Sequence, residues 1–139
     1  MTRDHPLLGV GVGNFSAVEP VYALRDIDLL RPEYVIDRRL GVHNTYLEMA
    51  SELGTVGLLL FAAVVSLALL AGLRAVRRFE QLGDADGEDL VRGLVLAAVG
   101  LLAAYAFLSG IFEKQLWLLL GVIVGMLYVA ERQQREPAR

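Results

Sequence analysis

Three long stretches without a formal charge restrict what this chain can fold into. Residues 53–73, 93–112 and 116–130 contain 21, 20 and 15 consecutive residues without Asp, Glu, Lys or Arg. A helix of the first length covers about 31 Å, which matches the ~30 Å hydrocarbon core of a bilayer. The third stretch is short for a span, so we expect either that flanking Lys114 and Arg132 extend towards the interface or that the bilayer thins locally. The pattern predicts an all-α polytopic membrane protein with three transmembrane helices.

Composition agrees with this fold class and excludes several kinds of site. Hydrophobic residues make up 55% of the chain, the mean hydropathy is +0.51, and 13 basic against 16 acidic residues give a formal charge of −3. Because the chain has no cysteine, a disulfide framework, thiol catalysis and Cys-ligated metal sites are excluded, and two histidines are too few for a His-rich metal site. The mildly acidic balance gives no support for nucleic-acid binding.

The basic residues near the helix ends predict the orientation of the spans. One side of the membrane would carry Arg74, Arg77, Arg78, Arg92, Arg132, Arg135 and Arg139, and the other Arg38, Arg39 and Lys114. Since cytoplasmic loops are enriched in Lys and Arg, we expect residues 74–92 and 131–139 in the cytoplasm. Residues 1–50 and a turn at 113–115 would then lie outside, joined to spans at 51–73, 93–112 and 116–130. Gly83 and Gly87 predict that the 74–92 loop is a flexible, solvated connection.

The outer segment opens with a glycine-rich stretch from Leu7 to Phe15. Its glycines allow positive φ angles and close backbone approach. It matches neither a dinucleotide fingerprint nor a phosphate loop, so a turn leading out of a preceding membrane helix is favoured over a phosphate cradle. Gly11, Gly13 and Asn14 remain candidate backbone or loop contacts to a substrate. Residues 1–42 show no sustained helical or strand period, which predicts an irregular or short-helical segment.

A helix start is predicted directly after His43. Thr45 and Glu48 have the spacing of a capping box, Asn44 is a competing cap, and no breaker separates this helix from the first span. The positive end of the helix dipole would disfavour the imidazolium form of His43, and free N–H groups there would suit an anion such as a diphosphate. The structural alternative is that His43 only hydrogen-bonds the loop and caps the helix. Asn44 is a further candidate contact.

Small residues within the spans predict close helix packing. Gly121 and Gly125 are four residues apart, as are Gly100 and Ala104, and such pairs let helix backbones approach. Trp117 and Tyr128, near opposite ends of the third stretch, fit the aromatic belts of a membrane interface.

Three motifs in order resemble the C-terminal part of the bacterial O-antigen ligase and O-antigen polymerase superfamily. They are His5-Pro-Leu-Leu-Gly-Val-Gly-Val-Gly-Asn-Phe15, His43-Asn-Thr-Tyr-Leu-Glu48, and Glu52-Leu-Gly-Thr-Val-Gly57 running into a span. The set covers about residues 5–73, and Phe112-Glu-Lys-Gln-Leu-Trp117 is similar to the closing hairpin of the family. The ordered set is fairly specific, whereas any single piece is not.

The resemblance implies a glycosyltransferase of the bacterial inner membrane. Such enzymes transfer a glycan from undecaprenyl diphosphate to a glycan, lipid or protein acceptor on the periplasmic face, without a nucleotide sugar and without a metal or other cofactor. The family's functional histidine maps onto His43, with the role of a general base that activates the acceptor hydroxyl. Candidates for the arginines that hold the diphosphate are Arg25, Arg31, Arg38 and Arg39, and no motif selects among them.

The resemblance also implies many helices before His5, whereas this sequence begins almost at the motif. We therefore expect residues 1–139 to correspond to the last third of such an enzyme, inactive without the preceding helices of the same protein. The alternative is a free-standing three-helix membrane protein that binds or scaffolds another complex through its outer segment.

Overall fold

The computed structural model describes residues 4–18, 43–108 and 114–135, and it is helical in 81% of them without any strand in these ranges. Four helices are present: α1 (Thr45–Glu52), α2 (Gly54–Leu82), α3 (Ala85–Ala104) and α4 (Lys114–Arg135). Residues 15–18 add one helical turn. The prediction of an all-helical fold is thus confirmed for the described residues.

The described residues divide into two compact units. One contains the residues up to Phe61 together with 105–108, and the other contains 62–104 and 114–135. The first unit is called the loop unit below, and the second the three-helix unit.

The three-helix unit packs around a stripe of mostly small residues on α2. Val65, Ala68, Ala75 and Phe79 are buried at helical spacing, with a buried glycine at 72. Phe79 is 1% exposed and forms a cluster with Ala75, with Val91 of α3 and with Ala130 of α4. The methionine and the leucine that lie four and three residues before Ala130 pack against this cluster. Small side chains on α2 let the other two helices approach, and one aromatic ring fills the remaining space.

A tight turn joins α2 to α3. Gly83 has a φ of +71°, and its N–H donates to the Glu80 carbonyl at 3.1 Å, while Asp84 N–H donates to the Phe79 carbonyl at 3.1 Å. This is the Schellman arrangement that satisfies the last carbonyls of a helix. Asp84 in turn caps α3, since its Oδ1 accepts from Gly87 N–H at 3.0 Å. The prediction of a flexible connection over residues 74–92 is therefore wrong, because both helices extend into it and only two residues separate them.

The charged ends of the helices meet at one end of the three-helix unit. Arg78 Nη1 of α2 donates to Gln134 Oε1 of α4 at 3.1 Å, and Gln134 Nε2 donates to Gln81 Oε1 at 3.3 Å. The C-terminal ends of α2 and α4 are therefore neighbours, and α3 runs in the opposite direction. The uncharged stretches end at residue 73 of α2 and residue 130 of α4, both at the level of the Phe79 cluster.

Two helices are long and apolar enough to cross a bilayer. They are α2, with a mean hydropathy of 2.6 over its most apolar window, and α4, with 1.4, and 22% of each window is buried. Most of the apolar surface of these helices therefore faces outwards, as a lipid environment requires. α4 has 22 residues, so its helix is longer than the 15-residue stretch that predicted it.

The predicted span at 93–112 is not one continuous helix. α3 ends at Ala104, and residues 105–108 form turns and bends. The uncharged part of α3, residues 93–104, covers only about 18 Å at ~1.5 Å per residue, and the N-terminal turns of the helix carry Asp86, Glu88, Asp89 and Arg92. The structure therefore does not show a third span. Residues 109–113 lie outside the described residues, and the last two residues of the predicted outer turn, Lys114 and Gln115, begin α4.

The uninterrupted helix predicted from Thr45 into the first span is also wrong. α1 ends at Glu52, Leu53 is its C-cap, and Gly54 has a φ of +67°. A positive φ is strained for residues with a Cβ and ends a regular helix, so the chain changes direction before α2 begins.

The predicted close packing at Gly100, Gly121 and Gly125 is absent from the described part of the chain. A methyl group at any of these glycines would meet no atom within 4 Å, and Gly121 and Gly125 lie on the exposed side of α4. Close approach occurs instead at Gly72 of α2, where a methyl group would lie 2.6 Å from Val95 Cγ2 and 2.8 Å from Ile123 Cγ2.

We expect Gly72→Ala to destabilise the three-helix unit by about 1–3 kcal/mol, because the added methyl group must displace two β-branched side chains. Gly121→Ala is the matched control and should be neutral or stabilising by up to about 1 kcal/mol, since alanine has the higher helix propensity. Denaturant unfolding in detergent micelles, followed by circular dichroism, measures both. Equal effects of the two substitutions would contradict the packing at Gly72.

Candidate functional site

The predicted site residues fall partly inside and partly outside the described ranges. His43, Asn44 and the glycine-rich loop (residues 4–14) belong to the loop unit and are described. The four candidate phosphate ligands Arg25, Arg31, Arg38 and Arg39 lie outside the described residues. The described part of the candidate site therefore consists of the start of α1 and of the loop that packs against its end.

Asn44 is the N-cap of α1 and also anchors the helix to a second segment. Its Oδ1 accepts from Tyr46 N–H and Leu47 N–H, both at 3.0 Å, while its Nδ2 donates to the Ala106 carbonyl at 2.9 Å. Of the two predicted caps, the side chain of Asn44 therefore fills the role. An amide can do both jobs because it carries an acceptor and two donors, whereas an aspartate carboxylate would leave the carbonyl at residue 106 without this donor.

Thr45 is fully buried and joins the same segment. Its N–H donates to the carbonyls of Tyr105 and Leu108, at 2.9 and 3.0 Å, and its Oγ1 donates to the Leu108 carbonyl at 2.6 Å. Carbonyls that follow the end of α3 are thereby satisfied by donors at the start of α1. The helix start does not offer the free N–H groups predicted for an anion, because those of Thr45, Tyr46 and Leu47 all donate within the chain.

His43 directly precedes this anchored cap and is exposed to solvent. The backbone on its C-terminal side is held through Asn44 and Thr45. These two residues make four hydrogen bonds to residues 105–108, and the Asn44 side chain accepts two more within α1, so the attachment point of the imidazole is fixed. An exposed imidazole on a fixed backbone can accept a proton from a group that approaches from outside, which is what a general base requires. Nearby, burial raises the pKa of the Tyr46 hydroxyl, which therefore stays neutral, and its ring lies 6.4 Å from that of Phe61.

A buried carboxylate holds the glycine-rich loop. Glu52, at the end of α1, is 2% exposed, and its Oε2 accepts from Gly13 N–H at 2.9 Å while its Oε1 accepts from Phe15 N–H at 3.1 Å. Hydrogen bonds of an ionised carboxylate to backbone N–H groups are among the stronger kinds in proteins. They compensate here for the cost of removing the charge from water.

Backbone hydrogen bonds complete the docking of the loop on the break between α1 and α2. Val10 N–H donates to the Ser51 carbonyl and Gly11 N–H to the Glu52 carbonyl, both at 2.9 Å. These carbonyls belong to the last turn of α1, where no intrahelical donor remains. On the other side of the break, the Pro6 carbonyl accepts from the N–H and the hydroxyl of Thr55 at 2.9 and 3.0 Å.

Glycines permit this close approach. A methyl group at Gly9 would lie 2.6 Å from the Ser51 carbonyl oxygen, and one at Gly54 would lie 2.7 Å from the Gly9 nitrogen. Both residues also have positive φ angles, as do Gly11 and Gly13. The expectation that these glycines serve a turn with close backbone contact is confirmed.

The structure brings the candidate loop contacts Gly11, Gly13 and Asn14 together, but the polar groups described here donate hydrogen bonds within the loop unit. The N–H groups of the two glycines donate to Glu52, and Asn14 Nδ2 donates to the Val10 carbonyl at 3.1 Å. The described residues contain no group of three His, Cys, Asp or Glu side chains arranged to hold a metal ion.

Sequence reasoning missed Glu52 as the residue that organises the loop. Glu52 entered the sequence analysis only as the first residue of the third motif, yet its partners are 37 and 39 residues away along the chain. The available signal was a carboxylate two residues before a glycine at the end of a short polar helix. That signal indicates a buried acceptor only once the helix is known to break at Gly54.

We expect Glu52→Gln to loosen the glycine-rich loop and to cost about 1–3 kcal/mol, because the amide group leaves one N–H of Gly13 or Phe15 facing a second donor. Hydrogen exchange of the whole chain in micelles would show faster exchange at Gly13 and Phe15. Glu80→Gln, an exposed carboxylate on α2, is the control and should change neither amide. Unchanged protection in Glu52→Gln would show that the carboxylate does not hold the loop.

Comparisons with known proteins bear on the same part of the chain. Residues 1–62 match the profile of a family described as O-antigen ligase. No curated protein and no solved structure matches the chain. The match contains the glycine-rich loop, His43 and Glu52, and it ends one residue beyond Phe61, where the loop unit gives way to the three-helix unit. The resemblance carried by the motifs at residues 5–15 and 43–57 is confirmed, and residues 1–62 form an O-antigen ligase-like segment.

Proposed function

We propose that the chain is the C-terminal part of a membrane glycosyltransferase that moves a glycan from undecaprenyl diphosphate to an acceptor on the outer face of the bacterial inner membrane. In this proposal His43 is the general base. It removes the proton from the acceptor hydroxyl while that oxygen attacks the anomeric carbon of the donor sugar, and the carrier diphosphate leaves. The reaction needs no nucleotide sugar and no metal.

The position of His43 is the observation that carries this proposal. The residue lies inside the matched segment, its side chain is exposed, and its backbone is fixed by the Asn44 and Thr45 hydrogen bonds to residues 105–108. A base must be held at a defined place and yet be open to its substrate, and this arrangement meets both conditions. The buried Glu52 and the docked loop add rigidity on the far side of α1.

The diphosphate is assigned to the arginines of the outer segment. Arg25, Arg31, Arg38 and Arg39 remain the candidates, because guanidinium groups bind phosphate oxygens in pairs and always carry a charge. The N-terminus of α1 is not among the candidates, since its N–H groups are engaged. We place residues 1–50 outside and the C-terminus in the cytoplasm, on the basis of the arginines at the shared end of α2 and α4.

We expect His43→Ala in the complete gene product to reduce glycan transfer by about 10²- to 10⁴-fold, the usual contribution of a general base. Transfer is measured in isolated membranes as acceptor glycosylation from an undecaprenyl-diphosphate-linked glycan. His5→Ala is the matched control, because His5 is the other histidine of the chain and is also exposed. It should leave transfer unchanged, and both variants should insert into the membrane at wild-type levels.

Equal transfer by His43→Ala and the wild type would remove His43 from the mechanism. Absence of transfer in the wild type, together with a stable protein partner after mild-detergent purification, would favour the alternative of a binding or scaffold protein.

A further inference from the structure

An open cavity of about 470 Å³ lies on the C-terminal end of α4, among residues of the three-helix unit. It is lined by Tyr128, Glu131, Arg132 and Arg135. A second cavity of about 280 Å³ shares Tyr128 and Arg132 with it and also touches Val129. Nothing in the proposed glycan transfer uses these residues.

The cavity lies where the apolar surface of the unit ends. Ala130, between Tyr128 and Arg132, is fully buried in the Phe79 cluster, beside Ala75 of α2. The uncharged stretch of α2 ends at residue 73 and that of α4 at residue 130, so two separate helices change from apolar to charged at the same level. In a bilayer such a level corresponds to the headgroup region, where tyrosine and arginine side chains are enriched.

The lining residues have the chemistry of a site for a singly charged phosphate. Tyr128, Arg132 and Arg135 follow one face of α4 at spacings of four and three residues. Two guanidinium groups and one carboxylate give a net charge of 2 − 1 = +1. A phosphodiester carries one negative charge and matches this balance, whereas the Glu131 carboxylate repels a doubly charged phosphate.

The cavity also has an apolar side, which a soluble phosphate would leave uncovered. The Tyr128 ring, 69% exposed, and the Val129 side chain, 42% exposed, continue the site towards the apolar surface of α4. These surfaces fit a glycerol backbone and acyl chains.

We propose that Tyr128, Arg132 and Arg135 bind the phosphodiester headgroup of an anionic phospholipid at the end of α4. The arginines hold the phosphate oxygens, and the tyrosine ring packs against the glycerol region. The site gives this end of the unit a preferred lipid independently of the glycan chemistry at the other unit.

The test is lipid titration of the purified full chain in detergent, read by native mass spectrometry. Phosphatidylglycerol should bind in preference to phosphatidylcholine, and Arg132→Gln/Arg135→Gln should weaken phosphatidylglycerol binding at least about tenfold, since two charge-assisted contacts are lost. The matched control is Arg74→Gln/Arg77→Gln, which removes the same charge from exposed positions on α2. It should change binding less than about twofold.

Two results would overturn the proposal. An equal loss in both double variants would show general attraction of anionic lipid to the arginines and no site at the cavity. Binding of sn-glycerol 3-phosphate as tight as that of phosphatidylglycerol would assign the cavity to a soluble phosphate. Circular dichroism checks that each variant keeps the helical content of the wild type, because all four substituted arginines are exposed and folding should be unaffected.

Discussion

The carboxylate of Glu52 is the contact on which the arrangement of the loop unit depends. It is almost fully buried and receives two backbone N–H groups from a loop that is distant in sequence. The larger apolar side chains of the loop, Leu7, Leu8 and Val12, are exposed, so its conformation rests on hydrogen bonds and on glycines that tolerate positive φ angles. The same contact places the loop on the break between α1 and α2, where glycines on both sides allow the backbones to meet.

A second feature of the loop unit is that helix ends and loops satisfy one another's backbone hydrogen-bonding groups. The donors at the start of α1 bind the carbonyls that follow α3, and the carbonyls at the end of α1 bind the N–H groups of the glycine-rich loop. Unpaired backbone groups cost several kcal/mol near hydrocarbon, so short helices beside apolar spans need partners of this kind. For the proposed enzyme, the consequence is that the exposed His43 is attached to a backbone with few free polar groups. Phosphate recognition is then left to side chains.

The two units differ in their proposed roles. The family match ends at the boundary of the loop unit, and the proposed transfer chemistry lies before that boundary. The three-helix unit contributes apolar helices, a cluster around Phe79 and a charged end that fits a membrane interface. The proposed transfer chemistry and a lipid environment impose different constraints, and the two units contain separate sets of contacts.

The sequence by itself determined the helical class and the apolar stretches of α2 and α4. It also determined the turn glycines of the loop and the place of His43 before a helix. These features follow from periodicity, charge and turn chemistry, which are local properties of a sequence. Only the tertiary structure decided that α1 breaks at Gly54, that α3 stops at Ala104, that Gly72 and not Gly121 is packed, and that Glu52 holds the loop. Each of these depends on partners far away in the chain, and a local pattern does not encode which distant group satisfies a backbone donor or fills the space at a glycine.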